Sequence, residues 1–162
     1  MCEICDRRKI DAYNHKYRKI SAGNTGLNAQ IFNERYIKLS YPVVFICEGI
    51  YDALSVEEVG GKAIAFSGTA HRRFLSLCKK YRSNTCFVIS LDNDTAGQRA
   101  SERVKQGIEI LKILYFVKTA RNGKDFNDEI MVDRERFGCF IWSTVEESIA
   151  ILEKSMRDSQ GK

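Results

Sequence analysis

Four short apolar runs, separated by segments of helical length, constrain the fold of this chain more than any other feature. Continuous runs of β-branched and aromatic residues, without polar alternation, are typical of strands that are buried on both faces. The segments between them carry apolar residues at helical spacing. A series of this kind, β-α-β-α-β-α-β, predicts a four-stranded parallel sheet flanked by helices, which is an α/β fold. The predicted strands are VVFIC (43–47), KAIAFS (62–67), CFVISL (86–91) and KILYFVK (112–118).

The length and composition are those of one globular domain. The 162 residues suffice for a hydrophobic core, and a content of 44% hydrophobic and 29% charged residues is globular rather than disordered. No apolar run approaches the roughly 18 residues of a membrane helix, and residues 1–19 lack the apolar stretch of a secretory signal. We therefore expect no membrane association and a cytoplasmic location. The net charge of +5 is compatible with a polyanionic partner without establishing one.

The two ends of the chain differ from its middle. Residues 1–42 are polar, end at the only proline and are interpreted as an N-terminal extension, either a remnant of an upstream domain or an edge element. Within them, AQIFNERYIKLSYP is expected to form a short strand or helix. The main domain is predicted to span 43–132. Residues 133–162 are predicted to be a C-terminal helical extension with an amphipathic helix over 143–156.

The six cysteines divide into two groups. Four of them lie in apolar or helical segments and are expected to be reduced, small core residues: Cys47, Cys78, Cys86 and Cys139. Cys2 and Cys5 instead form a C-x-x-C, to which His15 could add a third zinc ligand. No second C-x-x-C follows, so the alternative of an ordinary exposed terminus stays open.

The first apolar strand ends on a carboxylate. Glu48 follows VVFIC directly, and Gly49 allows the backbone to turn at once. A lone carboxylate at the end of an apolar strand gains little structurally, so we expect Glu48 to carry chemistry. Asp52, three residues after the glycine, has an ordinary alternative as a helix cap or first-turn carboxylate. Asp52 could therefore do no more than start the helix, and Glu48 is the acid of this stretch that we favour for chemistry.

Two aspartates, Asp92 and Asp94, follow the third strand in LDNDTAG. Residues two apart in an extended segment point to the same side, although Asp94 could also cap the next helix. If the first and third strands are neighbours, Glu48 converges with both aspartates. Three carboxylates in one place repel one another, and a divalent cation removes that penalty. Oxygen ligands without histidine or cysteine select Mg²⁺ or Mn²⁺, which is the chemistry of nucleotidyl transfer or phosphodiester cleavage.

Two further loops are predicted to reach the same edge of the sheet. SGTA closes the second strand as a phosphate cradle or, alternatively, as an ordinary turn capped by Thr69. GKDFND follows the fourth strand, and its Asp125 either holds a second metal or caps the next helix. The residues expected to contact phosphate or nucleic acid are Ser67, Gly68, Thr69, Lys124 and Arg99.

Taken together, EGIYDALS, LDNDTAGQRA and GKDFND resemble the Toprim domain, a Rossmann-like fold shared by bacterial-type primases, topoisomerases and certain nucleases. A glutamate after the first strand and D-x-D after the third identify it, and the resemblance covers about residues 43–130. The D-x-D-x-A-G-x-x-A and K-D-x-N elements are most similar to DnaG-type primases and to the primase–helicases of phages and mobile elements.

The resemblance implies Mg²⁺-dependent synthesis of RNA primers on single-stranded DNA from nucleoside triphosphates, beside a replicative helicase domain or protein. It implies that Glu48 acts as general acid/base or metal partner and that Asp92 and Asp94 coordinate the metal. Asp125 and Lys124 would lie at the rim of the metal and phosphate sites. Primases often have a DPD-like element where this chain has KDFND, which leaves the third acidic position open.

The length before the first strand bears on the functional class. Primases of this type carry an α/β subdomain before the Toprim domain, and residues 1–42 are too few for one. We therefore expect either a module of a larger replication protein or a stand-alone Toprim protein. Two alternatives to a primase stay open: a metal-dependent Toprim nuclease and a non-catalytic module that binds single strands. A topoisomerase is not expected, because no large strand-passing domains are present.

Overall fold

The computed structural model describes residues 30–66, 70–81 and 84–160, which form helices packed on a five-stranded sheet. The strand order is β1-β3-β2-β4-β5. The strands β2 to β5 are parallel, whereas β1 pairs antiparallel with β3 at one edge. The predicted α/β fold with four parallel strands is confirmed, and β1 adds a fifth. The strands are β1 (Ile31–Phe32), β2 (Val43–Cys47), β3 (Ala63–Phe66), β4 (Cys86–Ser90) and β5 (Tyr115–Val117).

Six helices lie within the described ranges: α1 (Arg35–Lys38), α2 (Ile50–Glu58), α3 (His71–Tyr81), α4 (Thr95–Ile110), α5 (Phe126–Val132) and α6 (Arg134–Gln160). None of them is long and apolar enough to span a membrane. The segment expected to give a strand or a helix gives both, β1 and α1.

The last helix begins well before the predicted residue 143. Asp133 accepts a hydrogen bond from the Arg136 backbone N–H at 2.9 Å and so starts α6 as an N-cap. Phe137 and Ile141, one turn apart, are fully buried against the sheet. These two side chains extend the apolar face of the predicted helix toward its N-terminus, and their burial stabilises the additional turns.

Each face of the sheet is covered by its own hydrophobic core. On one face, Val44, Ile46, Phe87 and Ile89 pack against α1, α3 and α4. On the other face, the alternate strand residues pack against α2, α5 and α6, whose contributions include Ala53, Phe126 and Phe137. Because both faces are buried, the strands read as continuous apolar runs. Burial on both faces therefore explains why the strands could be predicted from the sequence.

The register of the central strands decides which residues meet at the edge of the sheet. Cys47, the last residue of β2, pairs with Ser90, the last residue of β4. The pairing of β4 with β5 brings the loop after Val117 toward the same edge. Glu48 and Asp92 therefore follow neighbouring strands at their carboxyl ends, which meets the condition stated from the sequence. Ligand sites in open parallel sheets form at this position.

Three of the four cysteines expected in the core are buried: Cys47, Cys78 and Cys86. Burial raises the pKa of the Cys78 thiol to about 12 and that of Cys86 to about 11. The expectation was wrong for Cys139, which is exposed because it lies on the outward side of α6. All four are free thiols.

Gly97 permits α4 to pack directly on the loop that carries Asp92. A Cβ atom at this position would lie 2.0 Å from the Asp92 carbonyl oxygen and 2.8 Å from its carbonyl carbon. Backbone atoms cannot rotate away as the end of a side chain can. Any side chain at residue 97 would therefore displace the helix or the loop.

We expect Gly97→Ala to lower the free energy of unfolding by about 2 to 3 kcal/mol, because the added methyl overlaps backbone atoms. Gly138→Ala in α6 is the matched control, since its nearest neighbour would lie at 3.7 Å, an ordinary contact. The control should stabilise the protein by up to about 1 kcal/mol through helix propensity. Urea denaturation measures both changes. Equal effects of the two substitutions would contradict the close approach at Gly97.

Candidate metal centre

Three aspartates meet at the carboxyl edge of the sheet. Asp52, Asp92 and Asp125 each offer one carboxylate oxygen, and these oxygens lie within 4.8 Å of one another. Asp52 belongs to α2, Asp92 to the loop after β4, and Asp125 to the start of α5. The parallel sheet brings these three elements to one edge. We call this group the acidic cluster.

Asp52 is the most buried member of the acidic cluster, with only 7% of its surface exposed. Its Oδ2 accepts a hydrogen bond from the Gly49 backbone N–H at 3.2 Å, which closes the first turn of α2. Its Oδ1 accepts one from the Asn127 backbone N–H at 3.1 Å. Asp52 therefore starts its helix, as expected, and also ties α2 to α5.

Burial, together with the neighbouring charges of Asp125 and Asp92, raises the pKa of Asp52 to about 6 against the opposing backbone hydrogen bonds. The buried thiol of Cys47 lies beneath the same carboxylates, and its pKa is raised by burial and then by Asp52 and Asp92. At neutral pH the acidic cluster therefore holds mutually repelling charges in a partly desolvated place. A bound cation would relieve this repulsion.

Lys124 lies beside the acidic cluster. Its Nζ is 2.8 Å from Oδ2 of Asp92 and 3.8 Å from Oδ2 of Asp94, while 57% of its side chain stays exposed. The hydrogen bond to Asp92 raises the pKa of Lys124. The predicted position of Lys124 at the rim of an acidic site is therefore compatible with this geometry, and its ammonium group partly neutralises the site.

Asp94 caps α4. Its Oδ1 accepts hydrogen bonds from the backbone N–H groups of Ala96 and Gly97, each at 2.9 Å. The bond from Gly97 is the main reason that the pKa of Asp94 is lowered. Asp94 does not belong to the group of three. Asp94 therefore acts as the helix cap that the sequence allowed as an alternative. Its role as a metal ligand stays a prediction.

The GKDFND segment is a compact turn held by its own carboxylates. Asp125 accepts the backbone N–H of Asp128 at 2.8 Å and so caps α5. Asp128 in return accepts the backbone N–H of Lys124 at 3.1 Å. Gly123 has a φ of +106°, a conformation that favours glycine. Asp125 thus both caps a helix and joins the acidic cluster, although the sequence presented these as alternatives.

A buried ion pair anchors the loop before this turn. Glu129 is 2% exposed and accepts hydrogen bonds from Arg121 through the backbone N–H at 2.9 Å and through Nε at 2.8 Å. The Arg121 guanidinium also lies over the Phe140 ring, 4.2 Å from its centroid. These contacts fasten the loop to α5 and α6, and so they fix the backbone that carries Lys124 and Asp125.

The remaining predicted site residues occupy different places. Glu48 follows β2 at the carboxyl edge with an exposed side chain, outside the group of three, and its catalytic role stays a prediction. Arg99 is exposed on α4. The predicted phosphate cradle, Ser67, Gly68 and Thr69, lies outside the described residues, as do the possible zinc ligands Cys2, Cys5 and His15.

The sequence interpretation missed Asp52 as a member of the acidic cluster. A signal was present, because an aspartate in the first turn after a strand lies near the carboxyl edge of the sheet. Its neighbours Ala53 and Val56 are buried, which marks that side of α2 as the inner one. The same carboxylate also caps α2, and because capping alone explains an aspartate at this position, its place in the acidic cluster was not predicted.

The donor set fits a small divalent cation. All three ligands would be carboxylate oxygens, without histidine or cysteine, which favours Mg²⁺ or Mn²⁺ over zinc. Two residues before Asp92, and therefore on the same side of the strand, the buried hydroxyl of Ser90 has no hydrogen-bond partner among the described residues. A hydrated cation would add both charge and polar partners to this place.

Comparison with known proteins gives one family. The family model described as Toprim-like matches residues 45–130, which is more than half of the chain. No curated protein matches the chain. A solved structure, the RNA polymerase domain of Mycobacterium tuberculosis primase DnaG, is similar with 19% identity and a TM-score of 0.44. The alignment covers 72% of this chain and 37% of that one, so the chain spans little more than a third of its length.

We expect Asp52→Asn to change how stability depends on pH. Because the folded-state pKa of Asp52 is about 6 and its ordinary value is 3.8, the folded protein binds more protons between these values, and stability falls as pH rises through them. Asparagine removes this loss. In EDTA, the free energy of unfolding of Asp52→Asn relative to that of the parent should therefore rise by about 1 to 3 kcal/mol between about pH 4 and pH 7.

Urea denaturation at the two pH values measures the Asp52 effect, with Asp158→Asn at the exposed end of α6 as control. Adding Mg²⁺ should stabilise the parent and the control more than Asp52→Asn, because the variant lacks one carboxylate ligand. An Asp52→Asn profile parallel to that of the parent, with an equal response to Mg²⁺, would contradict the acidic cluster as a cation site.

Proposed function

The chain belongs to the Toprim-like family, and on that premise we propose that it is the catalytic domain of a DNA primase or primase–helicase. It would make RNA primers on single-stranded DNA by divalent-metal-dependent nucleotidyl transfer. The acidic cluster carries this proposal, because three carboxylates at the carboxyl edge of a parallel sheet suit the metal chemistry of phosphoryl groups. The resemblance of D-x-D-x-A-G-x-x-A and K-D-x-N to DnaG-type primases favours this branch of the family.

Asp52, Asp92 and Asp125 would hold the cation, which we propose to be Mg²⁺ or Mn²⁺. When bound, the cation would polarise phosphate oxygens and offset the charge of the leaving group. Glu48, exposed at the same edge, is proposed to accept the proton of the attacking hydroxyl. Lys124 would contact a phosphate oxygen, since its side chain is more than half exposed and its ammonium group lies beside Asp92.

The partners of the reaction follow from the same proposal. They would be a single-stranded DNA template, nucleoside triphosphates and a replicative helicase, all met in the cytoplasm. Residues 43–132 would form the catalytic unit, with the segments before and after it as extensions. The nuclease alternative uses the same acidic cluster to activate water instead of a sugar hydroxyl. The structure and the chemistry of the donor set suit both reactions, so products must distinguish them.

A priming assay tests the proposal on the full-length product of the gene that encodes this chain. The mixture contains unlabelled single-stranded DNA, labelled nucleoside triphosphates and either Mg²⁺, Mn²⁺ or EDTA. We expect metal-dependent labelled oligoribonucleotides, and we expect Asp92→Asn to lower their initial rate at least about 100-fold, because one ligand of the cation is lost. Asp158→Asn, which removes an exposed carboxylate far along α6, should leave the rate unchanged.

The same mixture with labelled DNA distinguishes the alternatives. Shortened DNA without primer synthesis would support a nuclease. Binding of the strand without either product would support a non-catalytic module. Full priming activity in Asp92→Asn would contradict the role given to the acidic cluster.

A further inference from the structure

Helices α3 and α4 lie side by side on one face of the sheet. Phe74 and Cys78 of α3 and Val104 and Ile108 of α4 belong to the same hydrophobic core. Both helices return from the carboxyl edge of the sheet toward its other edge, so they run in the same direction. A Cβ atom at Gly107 would lie 2.4 Å from Cδ1 of Leu75, and this glycine therefore marks a close approach of the two helices.

This contact fixes the register between the helices. One turn before Leu75 on α3 is His71, and one turn before Gly107 on α4 is Arg103. The two residues are therefore neighbours, with His71 at the amino-terminal end of α3 and Arg103 near the middle of α4. The electrostatics agree, because the pKa of His71 is lowered by burial and then by the charges of Arg72 and Arg103. Arg99 lies one further turn toward the start of α4, on its exposed side.

Three exposed arginines thus lie along the first half of α4 and at the start of α3: Arg72, Arg99 and Arg103. Across the parts of the chain that the structure describes, none of them forms an ion pair with a carboxylate. We call these three residues the arginine strip. Their charges also lie near the amino-terminal end of α3, where the helix dipole adds positive potential.

Neighbouring basic residues behave differently. Arg73, next to Arg72, pairs with Glu34 at 2.7 Å. Lys105, two residues after Arg103, lies 3.6 Å from Glu102. These side chains take part in ordinary surface ion pairs, whereas the arginine strip presents charge to solvent without a described structural partner. The difference singles out one narrow part of a chain whose basic residues are otherwise widely spread.

The arginine strip starts beside the acidic cluster and leads away from it. Asp94 caps α4, and Arg99 follows about 7.5 Å further along the helix axis, with Arg103 about 6 Å beyond Arg99. Two guanidinium groups in a row suit successive phosphates better than they suit one compact anion. Arginine also binds phosphate oxygens through two donors at once.

We propose that the arginine strip binds the phosphate backbone of single-stranded nucleic acid and leads the strand to the acidic cluster. The inference rests on the proposed function, for which it assigns a path to the template or primer strand. The backbone contact is independent of base sequence. His71, half-buried between the arginines, is left out of the strip.

Fluorescence anisotropy with a labelled oligothymidylate of about 20 nucleotides tests the strip, since this length exceeds the footprint of one small domain. The titrations are done in EDTA at several salt concentrations. We expect Arg99→Ala/Arg103→Ala to weaken binding at least about 10-fold at low salt and to reduce the slope of log affinity against log salt by about 1.4, which is two phosphate contacts on a single strand.

The matched control is Lys105→Ala/Lys154→Ala, which removes the same total charge from α4 and α6. It should change the affinity less than about twofold, because exposed charges away from the strand act only through a screened field. Arg99→Lys/Arg103→Lys should restore most of the binding, since lysine keeps the charge. Equal melting temperatures of all variants confirm that the fold is intact.

Several results would overturn the inference. One is equal weakening by the arginine and lysine pairs, which would indicate net charge rather than a site. Another is the absence of measurable binding by the parent chain. A third is competition by ATP as strong as that by oligothymidylate at equal phosphate concentration, which would indicate a nucleotide site. Because the assay contains no metal and requires no turnover, its outcome is separate from that of the priming assay.

Discussion

The parallel pairing of β2 with β4 is the constraint on which the described site depends. Both strands are buried on both faces, so they stay in register and end together, with Cys47 beside Ser90. The polar residues that follow must then emerge at one edge. Gly97 then determines where α4 lies, because it allows the helix to start directly against the backbone of Asp92. A change in this packing would move Asp92 as well as a helix.

The carboxylates of this edge serve two purposes at once. Asp52, Asp94 and Asp125 each accept backbone N–H groups in the first turn of a helix. Hydrogen bonds of this kind offset part of the cost of placing negative charges close together. For Asp52 they do not offset all of it, since its pKa remains raised to about 6. Structural capping and metal binding are therefore compatible functions of one residue.

Negative and positive side chains occupy different places around the carboxyl edge of the sheet. The acidic cluster lies where the strands end, with Lys124 against it, and the arginine strip lies further along α3 and α4. In the proposed reaction, a metal ion at the acidic cluster would act on the reacting phosphate, and the arginine strip would hold the strand at a distance from it. The Arg121–Glu129 pair stabilises the loop that leads to Lys124 and Asp125, and it belongs to neither the acidic cluster nor the arginine strip.

The sequence by itself determined the four parallel strands, the helices between them, and the arrival of acidic loops at one edge, because apolar periodicity and glycine turns are local signals. Asp92 and Asp125 were found in this way. From the sequence we expected Glu48 and Asp94, rather than Asp52, beside Asp92, because all three lie at strand or helix ends, where local patterns do not distinguish them. Only the tertiary structure decided this, through the position of α5. The backbone N–H of Asn127 in α5 donates a hydrogen bond to Asp52, which is 75 residues away in the chain. Local sequence patterns carry no information about such a contact.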